Sequence, residues 1–444
     1  MSRSKASQSR SSASASVTRP PIPLGRLLLW MTAGALLVLG ARARSEGTLH
    51  LSDVLPVLLW AVSAAGVVVG LRLGRFRGSD ALAGGVLFLS GVGVLVQTRM
   101  NTYGGTESLG LWIQPVGFLW LLMAWAFSRK GRVEWLMPFR GLAFLLSLAV
   151  VAGVVALGSR FRGAMYGPGG MTPTELLKLL IPFSLAGFFA AGASRWKGRS
   201  FLRPPFRETA LLLIGWGMLC ALLILQKDLG LIVLLSGSLL ILLICATGSW
   251  SWAVPAAAAA GAGGWLISEF LSHGARRFEA WLDPFADPTG SGWQVLQGLS
   301  GLYAGGVSGT GLGEGAPERL PIAGSDFVYA VIGEELGYLG CLLVLGLYAV
   351  ILRRTARTAD RQTERFSFLF AAGLTAALAV QVIVNIAGVV TLLPVTGITL
   401  PYISQGGSSY WVTSVQFGLL LGLSEPREPT GRKAGKKGKG KRKA

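Results

Sequence analysis

The stretch HGARRFEAWLDPFADPTGSGWQ (273–294) gathers residue types that could do chemistry at a membrane boundary. Asp283 and Asp287 each precede a proline, and Thr289-Gly290-Ser291-Gly292 follows. A carboxylate held there could serve as a general base or as a ligand for a hard cation. Each proline pushes the residue before it toward extended geometry, so the two Asp residues do not stack on one helical face despite their spacing of four. Asp-Pro with Gly nearby is equally ordinary turn chemistry, and on these residues both readings stand. No Ser/His/Asp or Cys/His nucleophile system is present. The chain has two histidines, His50 and His273, which exclude a His-rich metal centre. Cys220, Cys245 and Cys341 lie in apolar runs without CxxC spacing, as buried thiols do, and predict neither disulfide nor zinc site.

Other ionisable residues sit where they are costly. Arg160 and Arg162, with Arg276 and Arg277, either snorkel to lipid headgroups or clamp a phosphate or pyrophosphate. Glu175 and Lys178 in PTELLK share one helix face, as a site pair or as a structural ion pair near a helix start. Asp228 in QKDLG, Asp326 and the Glu334-Glu335 pair are marked by the same reasoning. Gln381 and Asn385, one turn apart, read first as helix-packing hydrogen-bond groups. LLPVTGITLPYISQGGSSYW (392–411), with two prolines and three glycines, reads as a re-entrant or cavity-lining stretch. A GxxxxG spacing lacks the GKT or GKS of a nucleotide P-loop.

These residues need a membrane scaffold to position them. Of 444 residues 52% are apolar and only 14% charged, well below the ~25% charged of a soluble chain. Apolar runs long enough to cross a ~30 Å hydrocarbon core recur from Leu27 to Leu423. Twelve crossings are expected, near 27–41, 54–71, 81–97, 108–127, 140–158, 174–193, 209–225, 229–247, 250–270, 327–352, 366–392 and 404–423. Lipid forbids unpaired backbone and the alternation of barrel strands is missing, so the fold class is an all-α polytopic membrane protein. The first run has no small-residue cleavage site after it and reads as a retained helix. The run at 250–270, with Pro255 and an Ala/Gly stretch, carries the weakest signal.

Residues 1–23 and 425–444 are low-complexity basic tails unable to bury a core, flanking a transmembrane domain at 24–424. The net charge of +20 could suggest nucleic acid. Most Lys and Arg instead fall in the tails and in the loops around 72–77, 129–140, 195–207 and 353–365, leaving a slightly negative remainder. By the positive-inside rule those segments, and both termini, are cytoplasmic, and no nucleic-acid partner is expected. The long connection 272–325 then lies on the outer face, where an ordered loop is a natural place for chemistry.

In this order the motifs resemble the SEDS family, the RodA/FtsW/SpoVE proteins. The resemblance covers roughly 158–424 and rests on DPTGSGWQ (287–294), GTGLGEG (309–315), SDFVYAVIGEELGYLG (325–340) and LLPVTGITLPYISQGGSS (392–409), with PTELLK and QKDLG resembling the family's PSExxK and QPDxG. It implies a peptidoglycan glycosyltransferase of the bacterial cytoplasmic membrane that polymerises lipid II on the outer face, serving elongation or division. Asp287 would be its catalytic general base or acceptor-orienting group, and Glu175, Lys178, Arg160, Arg277, Asp326 and Ser408 would bind substrate. Undecaprenyl pyrophosphate is the implied leaving group, a divalent cation (Mg or Mn) an admissible aid without an assigned ligand set, and a class B penicillin-binding protein the implied transpeptidase partner.

The resemblance also implies two helices more than the family's usual ten, placed at the N-terminus. Departures are Lys227 where the family usually has Pro, Gly324 where His is common, Gln405 for a usual Tyr, and Ile113-Gln114 where Arg-Gln is frequent. A lipid II flippase, or a non-catalytic scaffold recruiting partners or anionic lipid through its tails, are the competing readings.

Overall fold

The computed structural model describes residues 51–100, 110–161, 164–167, 172–320 and 322–426. The expected crossing at 27–41, residues 1–23, Arg162 and nearly all of the C-terminal tail lie outside these residues.

The apolar runs form helices because in lipid each backbone N–H and C=O must find its partner within the segment. They are α1 (Leu51–Leu73), α2 (Asp80–Arg99), α3 (Ile113–Ser128) and α4 (Arg140–Leu157). A short hairpin of β1 (Ser159–Phe161) and β2 (Ala164–Tyr166) follows, antiparallel, with Arg160 opposite Met165. Next come α5 (Leu177–Ala191), α6 (Phe206–Gln226), α7 (Leu229–Thr247) and α8 (Ala253–Phe270). The chain then turns into α9 (Ser272–Leu282) and α10 (Trp293–Gly305), and ends with α11 (Val328–Asp360), α12 (Arg365–Val389) and α13 (Gly407–Leu423).

Among the described residues eight helical stretches are long and apolar enough to cross a membrane, or nine if the bent pair around 250–282 counts as one span. The stretch 110–157 is counted as one, yet it contains α3 and α4, separated by a 3-10 segment with Lys130 and Gly131 in left-handed geometry. α8 is a helix with no buried residue, and the chain bends by 108° beyond it. The long connection 272–325 is ordered by two helices of its own, of which α9 is strongly amphipathic.

α12 is the pillar of the bundle, packed by α5, α7 and α11. Gly373 lets it close on its neighbours: a Cβ there would come 3.0 Å from both Leu242 and Pro182. Deeper along α12, Gln381 Nε2 donates to Thr399 O at 2.8 Å, and Asn385 Nδ2 donates to Ile398 O at 2.7 Å and Asp326 O at 3.1 Å. The packing role read from the sequence therefore takes a specific form. These amides satisfy carbonyls of the irregular stretch 392–406, which could not otherwise lie inside a membrane bundle.

α11 breaks at Gly337 (φ 67°), which opens the carbonyls of Glu334 and Glu335 and the amides of Tyr338 and Leu339. The Gly-rich loop after α10 closes this gap. Thr310 N and Gly311 N donate to the two carbonyls, while Gly306 O and Val307 O accept from the two amides. The acidic side chains finish the strap: Glu334 accepts from Ala316 N at 3.0 Å, Glu335 accepts from Gly313 N at 3.3 Å, and Arg99 pairs with Glu335 at 3.0 Å. The Glu334-Glu335 pair thus holds a loop rather than lining the cavity described below.

At the opposite end of the bundle the loops carry Arg75, Arg77, Arg129, Lys130, Arg195, Arg199 and Arg361. Glu425 is docked there, accepting from Trp125 Nε1 at 2.8 Å and pairing with Arg129 at 3.0 Å.

Candidate functional site

At the end of the bundle away from those basic loops, the hairpin, the N-termini of α5 and α7, α9, the start of α10 and the stretch 395–409 enclose a cavity of about 970 Å³. Its walls carry Glu175, Lys178, Asp228, Arg276, Arg277, Asp326 and Ser408. The structure therefore collects into one space five of the residues singled out as substrate-binding, namely Glu175, Lys178, Arg277, Asp326 and Ser408. Arg160 stands on β1 next to the lining residue Ser159, and its side chain lies outside the described residues.

Lys178 is the most enclosed of the charges, 2% exposed, and pairs with Glu175 through the last 3-10 turn before α5. Its Nζ also donates to Ser409 Oγ at 3.5 Å, and Ser409 shares a 2.8 Å hydrogen bond with Thr399 Oγ1. A buried ammonium needs such company, because desolvation without a counter-charge is prohibitive. Beside it Gln226 Nε2 donates to Met165 O at 3.3 Å and to Thr174 Oγ1 at 3.4 Å, tying the hairpin to α5. Thr172 N donates to Ser408 Oγ at 3.3 Å, which draws the start of α13 to the same wall.

On the facing wall Arg277 Nη1 donates to Val395 O at 2.8 Å, and Trp281 Nε1 of the same helix donates to Thr391 O at 2.9 Å. The carboxylates acting on Arg277 are those of Asp326 and Asp228. Gly397 (φ 79°) sits between: a Cβ there would lie 3.6 Å from Arg277 Nη2 and 3.8 Å from Asp326 Oδ2. Asp228 caps α7, accepting from Leu231 N at 2.9 Å, and burial pushes its carboxyl above the ordinary carboxylate value.

Asp287 lies at the rim, exposed. Its Oδ2 accepts from Ser291 N at 2.8 Å and from Ser291 Oγ at 3.3 Å, and its carbonyl accepts from Gly290 N and Gly292 N. DPTGSG is thus a closed turn with the carboxylate as its clasp, and it needs its glycines. A Cβ at Gly290 would fall 2.1 Å from Asp287 Oδ2, and one at Gly292 would fall 2.0 Å from Pro284 O. Gly290 and Ser291 line the cavity, so the turn borders it, while the Asp287 carboxylate folds back onto Ser291 beside the lining residues. Asp283 accepts from Phe285 N at 3.1 Å, a turn role alone.

Gln226, Trp293 and Gln294 also line the cavity, uncharged residues inside the QKDLG and DPTGSGWQ motifs that do not stand out in the sequence as ionisable groups do. Among the described residues no group of three or more His, Cys, Asp or Glu side chains converges as a metal site. The cavity carboxylates are engaged with Lys178, the α7 cap and the Arg277 wall, so they do not fit a divalent ion held by protein ligands alone.

Residues 81–428 match the FtsW/RodA/SpoVE family of cell cycle proteins. The peptidoglycan glycosyltransferase RodA of Mycobacterium tuberculosis (strain ATCC 25618 / H37Rv) is 38% identical over 298 residues, 64% of this chain and 62% of that one. The chain thus spans less than two thirds of that relative's length. A probable peptidoglycan glycosyltransferase FtsW of Coxiella burnetii is 32% identical over 325 residues, 70% of this chain and 84% of that one. Among solved structures, one of a peptidoglycan synthase complex is 26% identical with a TM-score of 0.61, covering 78% of this chain and 97% of the other. The Thermus thermophilus rod shape determining protein RodA, 24% identical with a TM-score of 0.54 over 78% of this chain and 97% of that one, shares the fold.

Proposed function

Because the chain belongs to the FtsW/RodA/SpoVE family of cell cycle proteins, we propose that it is a peptidoglycan glycosyltransferase that polymerises lipid II at the outer face of the cytoplasmic membrane. The observation that carries this reading is the Asp287 turn, whose Gly290 and Ser291 line the same cavity as Lys178 and Arg277. The basic loops at the opposite end favour an orientation with that end cytoplasmic. The separate helices α3 and α4 and the short α13, added to the stretch at 27–41, support twelve crossings with both termini on the cytoplasmic side. The membrane domain then runs over 24–424, with basic tails at 1–23 and 425–444.

In this reading the acceptor's GlcNAc 4-hydroxyl approaches Asp287, which takes its proton as the oxygen attacks the donor's anomeric carbon. The bond to the pyrophosphate oxygen breaks, and undecaprenyl pyrophosphate departs as an anion. That leaving group needs no proton, so no second carboxylate acid is demanded. The cations of Lys178 and Arg277, with Arg160 of the hairpin, favour the charge that develops on the pyrophosphate. Ser291 holds the carboxylate in place, and Glu175, Asp326 and Ser408 fix the walls that the substrate meets.

The solved complex that resembles this chain joins polymerization to crosslinking, which supports a transpeptidase of the class B penicillin-binding type as partner here. The deciding experiment gives the purified full chain, with its partner, fluorescent lipid II. Polymer from the parent and none from folded Asp287→Ala is the expected result. Equal polymer from both would overturn the assignment of Asp287, and redistribution of lipid II across liposomes without polymer would establish a flippase instead. Cysteine placed at Ser291 should react with an impermeant reagent from outside the cell.

A further inference from the structure

Beside the main cavity lies a second, open groove of about 570 Å³ lined by Trp293, Gln297, Glu318 and Arg319. Its size falls in the ~300–1,000 Å³ range of ligand sites. Trp293 lines both spaces, so they meet at one indole. Its backbone N donates to Gly290 O at 3.3 Å, which joins the start of α10 to the end of the Asp287 turn.

The groove is built on rigid supports. α10 turns its small residues inward: a Cβ at Gly298 would meet the Phe327 ring at 2.6 Å, and one at Gly305 would meet Gly333 O at 1.9 Å. Trp293 and Gln297, four residues apart, therefore share a face turned away from α11. The opposite wall is the 3-10 turn Pro317–Arg319, with Pro317 and Leu320 buried beneath it and Ala316 N anchored on Glu334. Trp293 is nevertheless 44% exposed, an indole face kept open in a polar surround of amide, carboxylate and guanidinium.

An exposed aromatic face rimmed by hydrogen-bonding groups suits a pyranose ring, whose C–H face packs on the π system while its hydroxyls and N-acetyl amide reach the rim. The guanidinium adds a partner for carboxylates carried on the sugar's substituents. We infer that this groove is a glycan-chain subsite, in which Trp293 stacks a sugar of the polymer adjoining the Asp287 turn and Gln297, Glu318 and Arg319 hold the ring beyond it. The inference rests on the lipid II polymerase reading and names where the polymer leaves or enters the reaction centre.

The test uses the full chain with its partner in nanodiscs and two readouts: the length distribution of glycan made from lipid II, and binding of a soluble, lipid-free GlcNAc-MurNAc tetrasaccharide. Trp293→Ala should weaken tetrasaccharide binding about tenfold and shorten the products, with Trp293→Phe restoring most of both. Because Trp293 also lines the main cavity, the paired change Gln297→Ala with Arg319→Ala, at positions that line only the groove, gives an independent measure. It should weaken binding several-fold and shorten products by a larger factor than it slows lipid II consumption. Unchanged binding and unchanged lengths in both variants, with a polymerising parent, would overturn the subsite. Loss of co-purification with the transpeptidase at unchanged lengths would likewise overturn it and identify a protein-docking face. A parent that forms no glycosidic bond sinks the polymerase reading, and the tetrasaccharide arm then decides the groove alone.

Discussion

Lys178 and Glu175 form an ion pair across the junction of the 3-10 turn and α5 in which the ammonium is almost wholly enclosed and the carboxylate is 19% exposed. The asymmetry decides what each substitution does. Glu175→Gln removes the paired counter-charge of a buried cation, leaving it a neutral amide oxygen, Ser409 Oγ at 3.5 Å and the more distant Asp228, and should cost about 3 kcal/mol, the low end for breaking a buried pair. Lys178→Met leaves a carboxylate that cavity water can reach and should cost less. The double variant should regain much of the lost stability yet none of the activity, because the cation that the proposed function sets against the pyrophosphate is gone. Thermal unfolding in detergent and polymer yield, measured on the same preparations, check this. Equal destabilisation by the two single changes would contradict it.

Asp287→Asn separates the turn from the chemistry. The amide Oδ1 can still accept from Ser291 N, so the clasp at 2.8 Å survives while the proton acceptor is lost. Polymerisation should fall by at least about 100-fold, the scale of a general base, with the unfolding temperature nearly unchanged. Retention of a tenth or more of parent activity would make Asp287 a positioning group only.

Gly290→Ala probes the same turn from its other side. The added methyl would sit 2.1 Å from Asp287 Oδ2, so the carboxylate must swing off Ser291. The turn is exposed and the bundle does not depend on it, so activity should drop at least tenfold at a cost in stability of no more than about 1 kcal/mol. Activity within twofold of the parent would show that the carboxylate's pose is unimportant.

Much of this arrangement was legible in the sequence, for reasons that differ by residue. The helices were readable because lipid leaves few alternatives for long apolar runs, and the cavity residues because an ionisable group such as Lys178 or Asp326 stands out against 14% charge. The fate of Glu334 and Glu335 was not readable. Whether a carboxylate lines a cavity or straps a loop depends on the break at Gly337, a backbone event that one glycine in an apolar helix does not announce. Nor was it visible that the departures at Gly324 and Gln405 touch: Gln405 N donates to Gly324 O at 2.6 Å, and Gln97 Nε2 donates to the same carbonyl at 2.8 Å. Both positions look like isolated oddities along the chain, and they meet only in three dimensions.

Lys227, where the family usually has proline, ends α6 in left-handed geometry at φ 66°. Proline, fixed near φ −65°, cannot adopt this turn. Lys227→Pro should therefore destabilise the chain by about 3 kcal/mol or more. Lys227→Gly should be neutral or stabilising by up to about 1 kcal/mol, because glycine enters that region freely. Unfolding temperatures of the two variants in detergent decide it, and a Pro variant as stable as the parent would show that the turn relaxes to the family's form.

Asp228 ties stability to pH. Burial raises its carboxyl pKa in the folded chain, against the Leu231 N–H that lowers it, with Glu175 adding to the rise and Lys178 and Arg277 opposing it. A raised carboxylate pKa means that the folded state holds the proton over a pH window in which the unfolded state has released it, so stability falls as pH rises. The fall begins near the ordinary carboxylate value of ~4 and ends once pH passes the folded value. Asp228→Asn keeps the cap, since Asn accepts from Leu231 N as Asp does, and removes the titration. The variant should match the parent near the acidic end of the window and unfold at a higher temperature than the parent at neutral pH. Parallel curves for the two proteins from acid to neutral pH would show that Asp228 is ionised at no cost in the folded chain.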